Sequence, residues 1–305
     1  MTQKKPSRLL DILYLALAIV PFLLCIALKV CTMEPETGIS VSGAHYWFII
    51  HLPFSGPSAV STLPVSESQV TSWAVIVSLL GVCLYLTNGI CVKAGTRRQI
   101  VAEWIVEQVN KMIRSNMGER FMGFAPFVAA IMGLSCLSSL SSLLGLFPPT
   151  SDINVVAGWA ILVFVLITYY KMKGGFGNYL KGFADPIPVF APFNVISEIA
   201  TPISMAFRHY GNVLSGVVIS TLIMAALSGL SNLILGWLPG VLGDAGFLRI
   251  GLPAILSLYF DLFSGGLQAF IFAMLTMLYV SNGFPEEAYE ARKAKRAARR
   301  AAKAV

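Results

Sequence analysis

Long apolar runs separated by short polar stretches are the dominant pattern along this chain. A helix needs about 20 predominantly apolar residues to cross the hydrocarbon core of a bilayer. Six segments meet this requirement: 9–30, 71–92, 121–147, 153–170, 192–238 and 247–283. The pattern therefore predicts an all-α, polytopic integral membrane protein with about six membrane segments.

The fifth and sixth apolar segments are too long to be upright spans. A helix that exceeds the thickness of the membrane must tilt strongly or break. Pro239 and Gly240 end the fifth segment, and Gly246 and Pro253 flank the start of the sixth. We expect these two segments to form a long, tilted helical hairpin.

The first apolar segment follows a basic start, so it is also compatible with a cleaved signal peptide. The residues after it, Lys29-Val30-Cys31, contain neither a small-x-small cleavage site nor a lipobox. We favour a retained span and keep cleavage as the alternative.

Two polar stretches have a helical or basic pattern of their own. Segment 97–116 has apolar residues at 101, 105, 109 and 112–113 with charges between them, which predicts an amphipathic helix on the membrane surface. Segment 286–304 alternates alanine with basic residues and is either a solvated helix or a disordered arm near anionic headgroups.

Composition narrows the class of protein further. The chain is 56% hydrophobic and 12% charged, with a mean hydropathy of +0.74, whereas an ordinary soluble domain is about 25% charged. These values exclude a cytosolic enzyme, a disordered chain and a disulfide scaffold. The five cysteines form no close CxxC pair and are interpreted as small buried hydrophobic residues.

The net charge of +7 does not indicate a nucleic-acid partner, because of where the charges lie. Nineteen of the 22 lysines and arginines fall before the first span, between the second and third, after the fourth and after the sixth. Strict alternation across six spans places all of them on one side, which the positive-inside rule makes the cytoplasm. Both termini are then cytoplasmic, and loops 31–70, 148–152 and 239–246 face outward.

Arg208 lies 16 residues inside the fifth segment, with about 30 mostly apolar residues after it. A charge at that depth costs roughly 2.5 to 3.5 kcal/mol on insertion scales, so its presence needs a reason. A single polar stripe at helical spacing contains it: Ser197, Thr201, Ser204, Arg208, Asn212 and Ser215. Gly211 and Gly216 allow another backbone to approach this stripe. The alternative is a structural arginine paired with a carboxylate inside the bundle.

Asp261 lies on a polar face of the sixth segment together with Ser257, Ser264 and Gln268. Asp261 and Gln268 are seven residues apart, about 10 Å along one side of a helix. A buried aspartate must be paired, hydrated or protonated. The functional interpretation is a proton-accessible group in a polar half-channel, and the alternative is a hydrogen-bonded structural aspartate.

Glu198, near the start of the fifth segment, is either part of the same polar system or an interfacial glutamate. His209 points away from the stripe and is interpreted as a packing or hydrogen-bonding residue. The chain contains no HExxH zinc motif, P-loop, GxGxxG or nucleophile elbow. We therefore expect no catalysis, no metal and no cofactor in this chain.

Two long motifs resemble those of one family. The segment NVISEIATPISMAFRHYGN (194–212), with Leu-Ser-Gly216 after it, resembles the signature of subunit a of F-type ATP synthases, and GLQAFIFAMLTMLY (266–279) resembles the last helix of that family. PTSDIN (149–154) and YKMKG (170–174) are also similar to it. The resemblance covers about 66–284 and divides the chain into an extra N-terminal helix and outer loop (1–65), a channel domain (66–284) and a basic cytoplasmic tail (285–305).

The resemblance implies roles for individual residues. Arg208 matches the essential arginine of the family, Asn212 and Gln268 match polar residues of the ion pathway, and Asp152 matches an acidic residue near its outer mouth. The chain departs from the family where Val217 replaces a usual glutamate or histidine, which leaves Asp261 as the ionisable candidate there. Thr201 and the pair His209-Tyr210 are further departures, and they affect the details of the cytoplasmic path. The residues assigned to ion translocation are Arg208, Asn212, Asp261, Gln268, Asp152, Ser215, Ser204 and Glu198.

The function implied is that of a non-catalytic, ion-translocating stator subunit in a bacterial-type inner membrane, with the proton taken as the ion and sodium left open. Its implied partners are a ring of rotor proteolipids faced by the long hairpin, the peripheral-stalk subunit b, the other ATP synthase subunits and membrane lipid. Two other classes of function make different predictions. A secondary ion-coupled transporter predicts internal repeats, and none is evident. A membrane-embedded hydrolase predicts a catalytic constellation, and none is evident.

Overall fold

A computed structural model describes residues 8–32, 46–51, 62–91, 96–184, 187–235, 255–256 and 258–303. The helices are α1 (Arg8–Thr32), α2 (Glu67–Thr87), α3 (Arg97–Asn116), α4 (Ala125–Leu143), α5 (Ile153–Met172), α6 (Phe176–Phe183), α7 (Ala191–Leu235), α8 (Gly265–Asn282) and α9 (Glu286–Lys303). Short 3-10 turns at Glu119–Phe124, Pro149–Ser151 and Pro188–Phe190 connect some of them. Six helices of this described part are long and apolar enough to cross a membrane, which confirms the predicted number of spans.

Capping residues, rather than hydropathy, set where several spans begin. Helix α2 starts at Glu67, four residues before the predicted start at position 71. Ser66 Oγ accepts a hydrogen bond from the backbone N–H of Gln69, and the Gln69 side chain accepts one from the backbone N–H of Ser66. This reciprocal capping box satisfies two N–H groups at the helix end. Helix α5 has a simpler cap, in which the Asp152 carboxylate accepts a hydrogen bond from the backbone N–H of Asn154 at 2.9 Å.

The predicted outer loop 31–70 contains a β-hairpin that the sequence analysis did not anticipate. Strand β1 (Tyr46–His51) pairs antiparallel with β2 (Thr62–Ser66), and Tyr46 lies opposite Ser66. The sequence of β1, YWFIIH, is aromatic and β-branched, as is typical of strands. In the described ranges this hairpin is the one departure from an all-α fold.

Helix α7 has the excess length that the sequence predicted. Its 45 residues extend about 68 Å, whereas the hydrocarbon core of a bilayer is about 30 Å thick. The described part of the sixth segment consists of a π-helical stretch, Leu258–Ser264, followed by α8. The predicted break at 239–246 and Ser257 lie outside the described residues.

A core between α3, α4, α5 and α8 joins the spans. Its buried residues include Ile113, Val128, Val163, Phe272 and Met277. The predicted amphipathic helix is α3, but only part of its apolar stripe reaches this core. Val109 and Ile113 are buried, whereas Val101, Trp104 and Ile105 are exposed, as expected of side chains that lipid would cover.

The polar contacts place the charged groups at two opposite ends of the bundle. Arg98, Arg120 and Lys171 lie at one end, named here the basic end, where Arg120 pairs with Glu286 at 3.2 Å and Glu290 at 2.6 Å. These contacts hold the N-terminal part of α9. Of the two predicted alternatives for the tail, the structure therefore has the helix, over Glu286–Lys303. Glu67 and Asp152 lie at the other end, named here the acidic end. Which side of the membrane each end faces stays a prediction.

Candidate functional site

Arg208 projects from the exposed side of α7. Met205, Ala206 and His209 are buried against the rest of the bundle, whereas Ser204 and Arg208 are exposed. In the part of the chain that the structure describes, the guanidinium of Arg208 has no ion pair and no hydrogen bond. The arrangement therefore does not support an arginine paired with a carboxylate of its own bundle.

His209, the next residue, faces in the opposite direction. Its ring is fully buried, with Nε2 3.3 Å from Ser135 Oγ on α4. The rings of Trp159 and Phe272 pack edge-on against it, with centroids 6.0 and 5.5 Å away. This packing agrees with the interpretation of His209 as a structural residue.

Asn212 connects α7 to the π-helical stretch that contains Asp261. Ser264 Oγ donates to Asn212 Oδ1 at 2.9 Å. Gly216 continues this contact, because a Cβ added there would lie 3.1 Å from the Phe260 ring. A π-helical turn inside a helix is often found at functional sites.

Asp261 is half-buried within that stretch, and Gln268 is buried at 5% exposure two turns further along. Gly265 lets this region approach α4, since a Cβ there would lie 2.5 Å from Ser139 Cβ. Ser215 is exposed, and its hydroxyl donates to the carbonyl of Asn212 on its own helix. The structure thus packs the π-helical stretch that contains Asp261 against α7 at Asn212, and Gln268 follows in the first turn of α8.

Glu198 belongs to a separate cluster at the basic end. Its carboxylate pairs with Lys171 Nζ at 3.0 Å and accepts a hydrogen bond from Tyr179 OH at 3.2 Å. Burial, together with the neighbouring Glu198 carboxylate, raises the pKa of Tyr179 above its usual range, so the phenol stays protonated and can donate. Glu198 is therefore paired within its own chain, and both the functional interpretation and the interfacial glutamate are compatible with this pairing.

A cavity of about 390 Å³ adjoins this cluster. Its lining is largely polar and includes Lys171, Tyr179, Asn194, Ser197, Glu198 and Thr201. Glu198 and Arg208 are ten residues apart on α7, about 15 Å along the helix axis. On α7 the polar lining of the cavity reaches Thr201, seven residues and about 10 Å before Arg208.

Asp152 belongs to a third cluster, at the acidic end. One carboxylate oxygen accepts from Ser68 Oγ at 2.6 Å, and the other accepts from the backbone N–H and side chain of Asn154. Ser66 and Ser68 share a hydrogen bond of 2.7 Å between their hydroxyls. Asp152 is thus held by the first turn of α2 as well as by its own helix.

The eight residues predicted for ion translocation therefore lie in three groups rather than one. Glu198 is at the basic end, Asp152 is at the acidic end, and the others lie between them on α7, the π-helical stretch and α8. The sequence pattern does not indicate the partners Lys171, Tyr179 and Ser68, because they lie outside the helical period of the residues that they bind. It places Ser264 on the face of Asp261 but does not predict its hydrogen bond to Asn212. Among the described residues, no group of three or more His, Cys, Asp or Glu side chains could hold a metal ion.

Comparison with known families and proteins decides the membership of the chain. The family model described as ATP synthase A chain matches residues 69–281. The chain belongs to the subunit a family of F-type ATP synthases. It is 30% identical over 225 residues to ATP synthase subunit a 1 of Crocosphaera subtropica, covering 72% of this chain and 87% of that protein.

Other bacterial members of the subunit a family are similarly related. ATP synthase subunit a of Anoxybacillus flavithermus is 32% identical over 225 residues, covering 70% of this chain and 89% of that protein. The subunit a of Desulforamulus reducens is 32% identical over 248 residues, covering 80% and 85%. The chain is accordingly a multi-pass subunit of the ATP synthase membrane sector, and α1, the hairpin and α9 lie outside the region that the family model matches.

Proposed function

We propose that this chain is the ion-translocating stator subunit of a rotary ATP synthase and that the transported ion is the proton. The observation that supports this proposal best is the environment of Arg208. It is an exposed cation in the middle of a membrane helix, without an ion pair or hydrogen bond in the described part of its own chain.

The cost of that cation argues for a partner on another subunit. Arginine stays protonated in proteins, so it cannot escape the membrane environment by losing its charge. Lys171 and Glu198 compensate each other's charge by forming an ion pair within the chain. Arg208 faces outward instead, where a carboxylate of a rotor subunit would supply the missing negative charge.

Arg208 would favour the ionised form of that rotor carboxylate. An opposite charge at close range lowers the pKa of a carboxyl group by about 1 to 3 units. A rotor carboxylate would therefore release its proton on reaching Arg208 and take up another after passing it. Arg208 would also block direct proton movement between the two sides.

The three polar groups suggest two aqueous half-channels. One leads from the basic end through the cavity beside Glu198 toward Ser204. The other leads from the acidic end at Asp152 toward Asp261 and Gln268, with Asn212 and Ser215 lining α7 beside Arg208. One elementary charge moving through 100 mV supplies about 2.3 kcal/mol, which would drive the rotation.

The proposed function also implies partners and an orientation. The exposed side of α7 would face the ring of rotor proteolipids, and the peripheral-stalk subunit b would hold the chain stationary. The basic end would be cytoplasmic, in a bacterial-type inner membrane, with both termini on that side. Residues 66–284 would form the channel domain, flanked by the N-terminal extension 1–65 and the tail 285–305.

The decisive experiment removes the charge of Arg208. In vesicles that contain the assembled complex, Arg208→Ala should abolish proton-driven ATP synthesis and leave a passive proton leak. Arg208→Lys keeps the charge but loses the planar, wide-reaching guanidinium, so it should also fail to couple, with a smaller leak. Proton flux and ATP synthesis are measured on the same vesicles and normalised to the amount of complex.

Arg114, an exposed arginine on α3, provides the matched control. Arg114→Ala should synthesise ATP at the normal rate without a leak. A structural role for Arg208 predicts poor assembly with normal synthesis in the complexes that do form. Near-normal synthesis per complex in Arg208→Ala would overturn the proposed function.

A further inference from the structure

Helix α1 lies outside the region that the family model matches, yet ion pairs join it to α2 at one end and to α3 at the other. At the acidic end, Lys29 Nζ lies 3.0 Å from Glu67 Oε1 and donates to the carbonyl of Gly145 at 2.7 Å. At the basic end, Asp11 Oδ1 accepts from Arg98 at 2.6 Å and from Asn88 at 2.8 Å. A cleavable hydrophobic leader would not be expected to form complementary charged contacts with the other helices at both of its ends.

The contact at the acidic end compensates a buried charge, that of Glu67. Its side chain is only 1% exposed, and an ionised carboxylate at such a position is costly unless it is paired. Lys29 supplies the positive charge, and the backbone N–H of Phe147 donates to the same carboxylate oxygen at 3.2 Å. The charge of Glu67, a residue of α2, is therefore compensated by α1.

The pair also holds the connection between α4 and α5, residues 144–152. Lys29 and Glu67 bind its beginning through Gly145 and Phe147. Ser68, the residue after Glu67, binds its end through the carboxylate of Asp152. Two consecutive residues of α2 thus hold both ends of one short connection, so a shift at Glu67 would be transmitted to Asp152.

We propose that Lys29 is a positioning residue of the acidic-end half-channel. It compensates the charge of Glu67 and, through Glu67 and the 144–152 connection, holds Asp152 in place. The N-terminal helix is accordingly a retained part of the mature subunit. This inference rests on the proposed function in one respect, namely that Asp152 lies on the ion path.

The test compares four variants in the assembled complex: Lys29→Met, Lys29→Arg, the double variant Lys29→Met with Glu67→Gln, and Asp11→Asn. Lys29→Met leaves Glu67 buried without its cation and should lower ATP synthesis per complex by roughly tenfold or more. Lys29→Arg keeps the charge and should retain most of the activity. The double variant removes both charges and should recover at least half of it.

Asp11→Asn is the matched control, because it breaks the other charged contact of α1, far from Asp152. It should lower the amount of assembled complex at most and leave the synthesis rate per complex unchanged. A purely structural role for Lys29 predicts the same pattern for Lys29→Met. Normal synthesis per complex in Lys29→Met would therefore overturn the proposal.

A second measurement separates this proposal from the proposed function. The passive leak of Arg208→Ala should fall when Lys29→Met is added and should not fall when Asp11→Asn is added. If Arg208→Ala neither leaks nor loses synthesis, the proposed function is wrong. If it does both and Lys29→Met changes neither quantity, only the role of Lys29 is wrong.

Where Lys29→Met does not assemble, the double variant decides. Its assembly with recovered synthesis supports charge compensation, whereas its failure to assemble while Lys29→Arg functions normally contradicts it. The intact mass of the purified subunit tests retention of α1 directly. A mature chain that begins after residue 31 would overturn the whole inference.

Discussion

Arg208 and Glu198 show two ways of placing a charge on one membrane helix. Glu198 is near the helix start, is partly buried and pairs with Lys171, so its charge is neutralised within the chain. Arg208 is exposed and has no such pair among the described residues. Charges that serve only to hold a bundle together are expected to follow the first pattern. The second pattern is that of a residue whose partner comes from elsewhere.

The polar stripe on α7 was predicted only in part. Helical spacing correctly placed Ser204, Arg208 and Ser215 on a common, exposed side. It also placed Asn212 there, but the side chain of Asn212 instead binds Ser264. Helical periodicity determines which residues share a face. The length of each side chain and the position of the neighbouring helix determine what that side chain contacts.

Asp261 provides a test of the path between α7 and α8. Asp261→Asn should severely lower proton-driven ATP synthesis while assembly stays intact, because the amide cannot take up and release a proton. Val217 lies beside Gly216, whose position contacts Phe260, the neighbour of Asp261. Adding Val217→Glu should therefore restore part of the activity. Synthesis rate per assembled complex in energised vesicles is the measurement.

Val217→Gln is the control for this rescue, because it has the same size as glutamate without the ionisable group. In the Asp261→Asn background it should restore nothing. If Asp261→Asn alone keeps full coupled activity, Asp261 is a structural aspartate and the assignment of the path through it is wrong.

The helices were predictable because hydropathy alone determines which segments can cross a bilayer. Their ends were less predictable. Helix α2 begins at Glu67 because of the Ser66 and Gln69 capping box, a signal present in the sequence but masked by the polar character of that turn. The hairpin before it is hard to predict for a similar reason, since its aromatic and β-branched run is short and lies between polar stretches typical of a loop.

The contact between α1 and α2 depends on Gly81. A Cβ at this position would lie 2.6 Å from the backbone N of Ala18, so the helices would have to separate. Gly81→Ala should lower the stability of the subunit by about 1 to 3 kcal/mol, the usual cost of overpacking. Thermal unfolding of the purified complex in detergent, followed by loss of this subunit, measures the effect.

Gly158 on α5 is the matched control, because nothing lies within 4 Å of the position of its added Cβ. Gly158→Ala should be neutral or stabilising by up to about 1 kcal/mol, owing to the better helix propensity of alanine. Equal effects of the two substitutions would show that α1 does not pack against α2 in the assembled complex.

At the scale of the whole molecule, the sequence predicts the alternation of the spans but not the contacts between different helices. The loops rich in lysine and arginine can be identified from the sequence alone. The predicted alternation places them at one end of the bundle, in agreement with the basic end found in the structure. The pairs Lys29–Glu67 and Ser68–Asp152 join residues 38 and 84 positions apart. No local period encodes such pairs, because they depend on which helices become neighbours after insertion.

The orientation of the bundle is the broadest prediction. The tail after α8 contains seven basic residues, and they lie at the same end of the bundle as Arg98, Arg120 and Lys171. The positive-inside rule predicts that this end is cytoplasmic. Since six spans separate the termini, both must lie on that side if α1 is retained.

Single cysteines at positions 3 and 300, in a chain whose five native cysteines have been replaced, should resist an impermeant reagent in sealed cells. A cysteine at Leu144, an exposed position in the turn after α4 at the acidic end, should react with it. Labelling at 300 from outside would reverse the orientation and with it the assignment of the two half-channels. Protection at 300 with reaction at position 3 would mean that α1 does not span the membrane, and the contact between Lys29 and Glu67 would then have to form without a transmembrane α1.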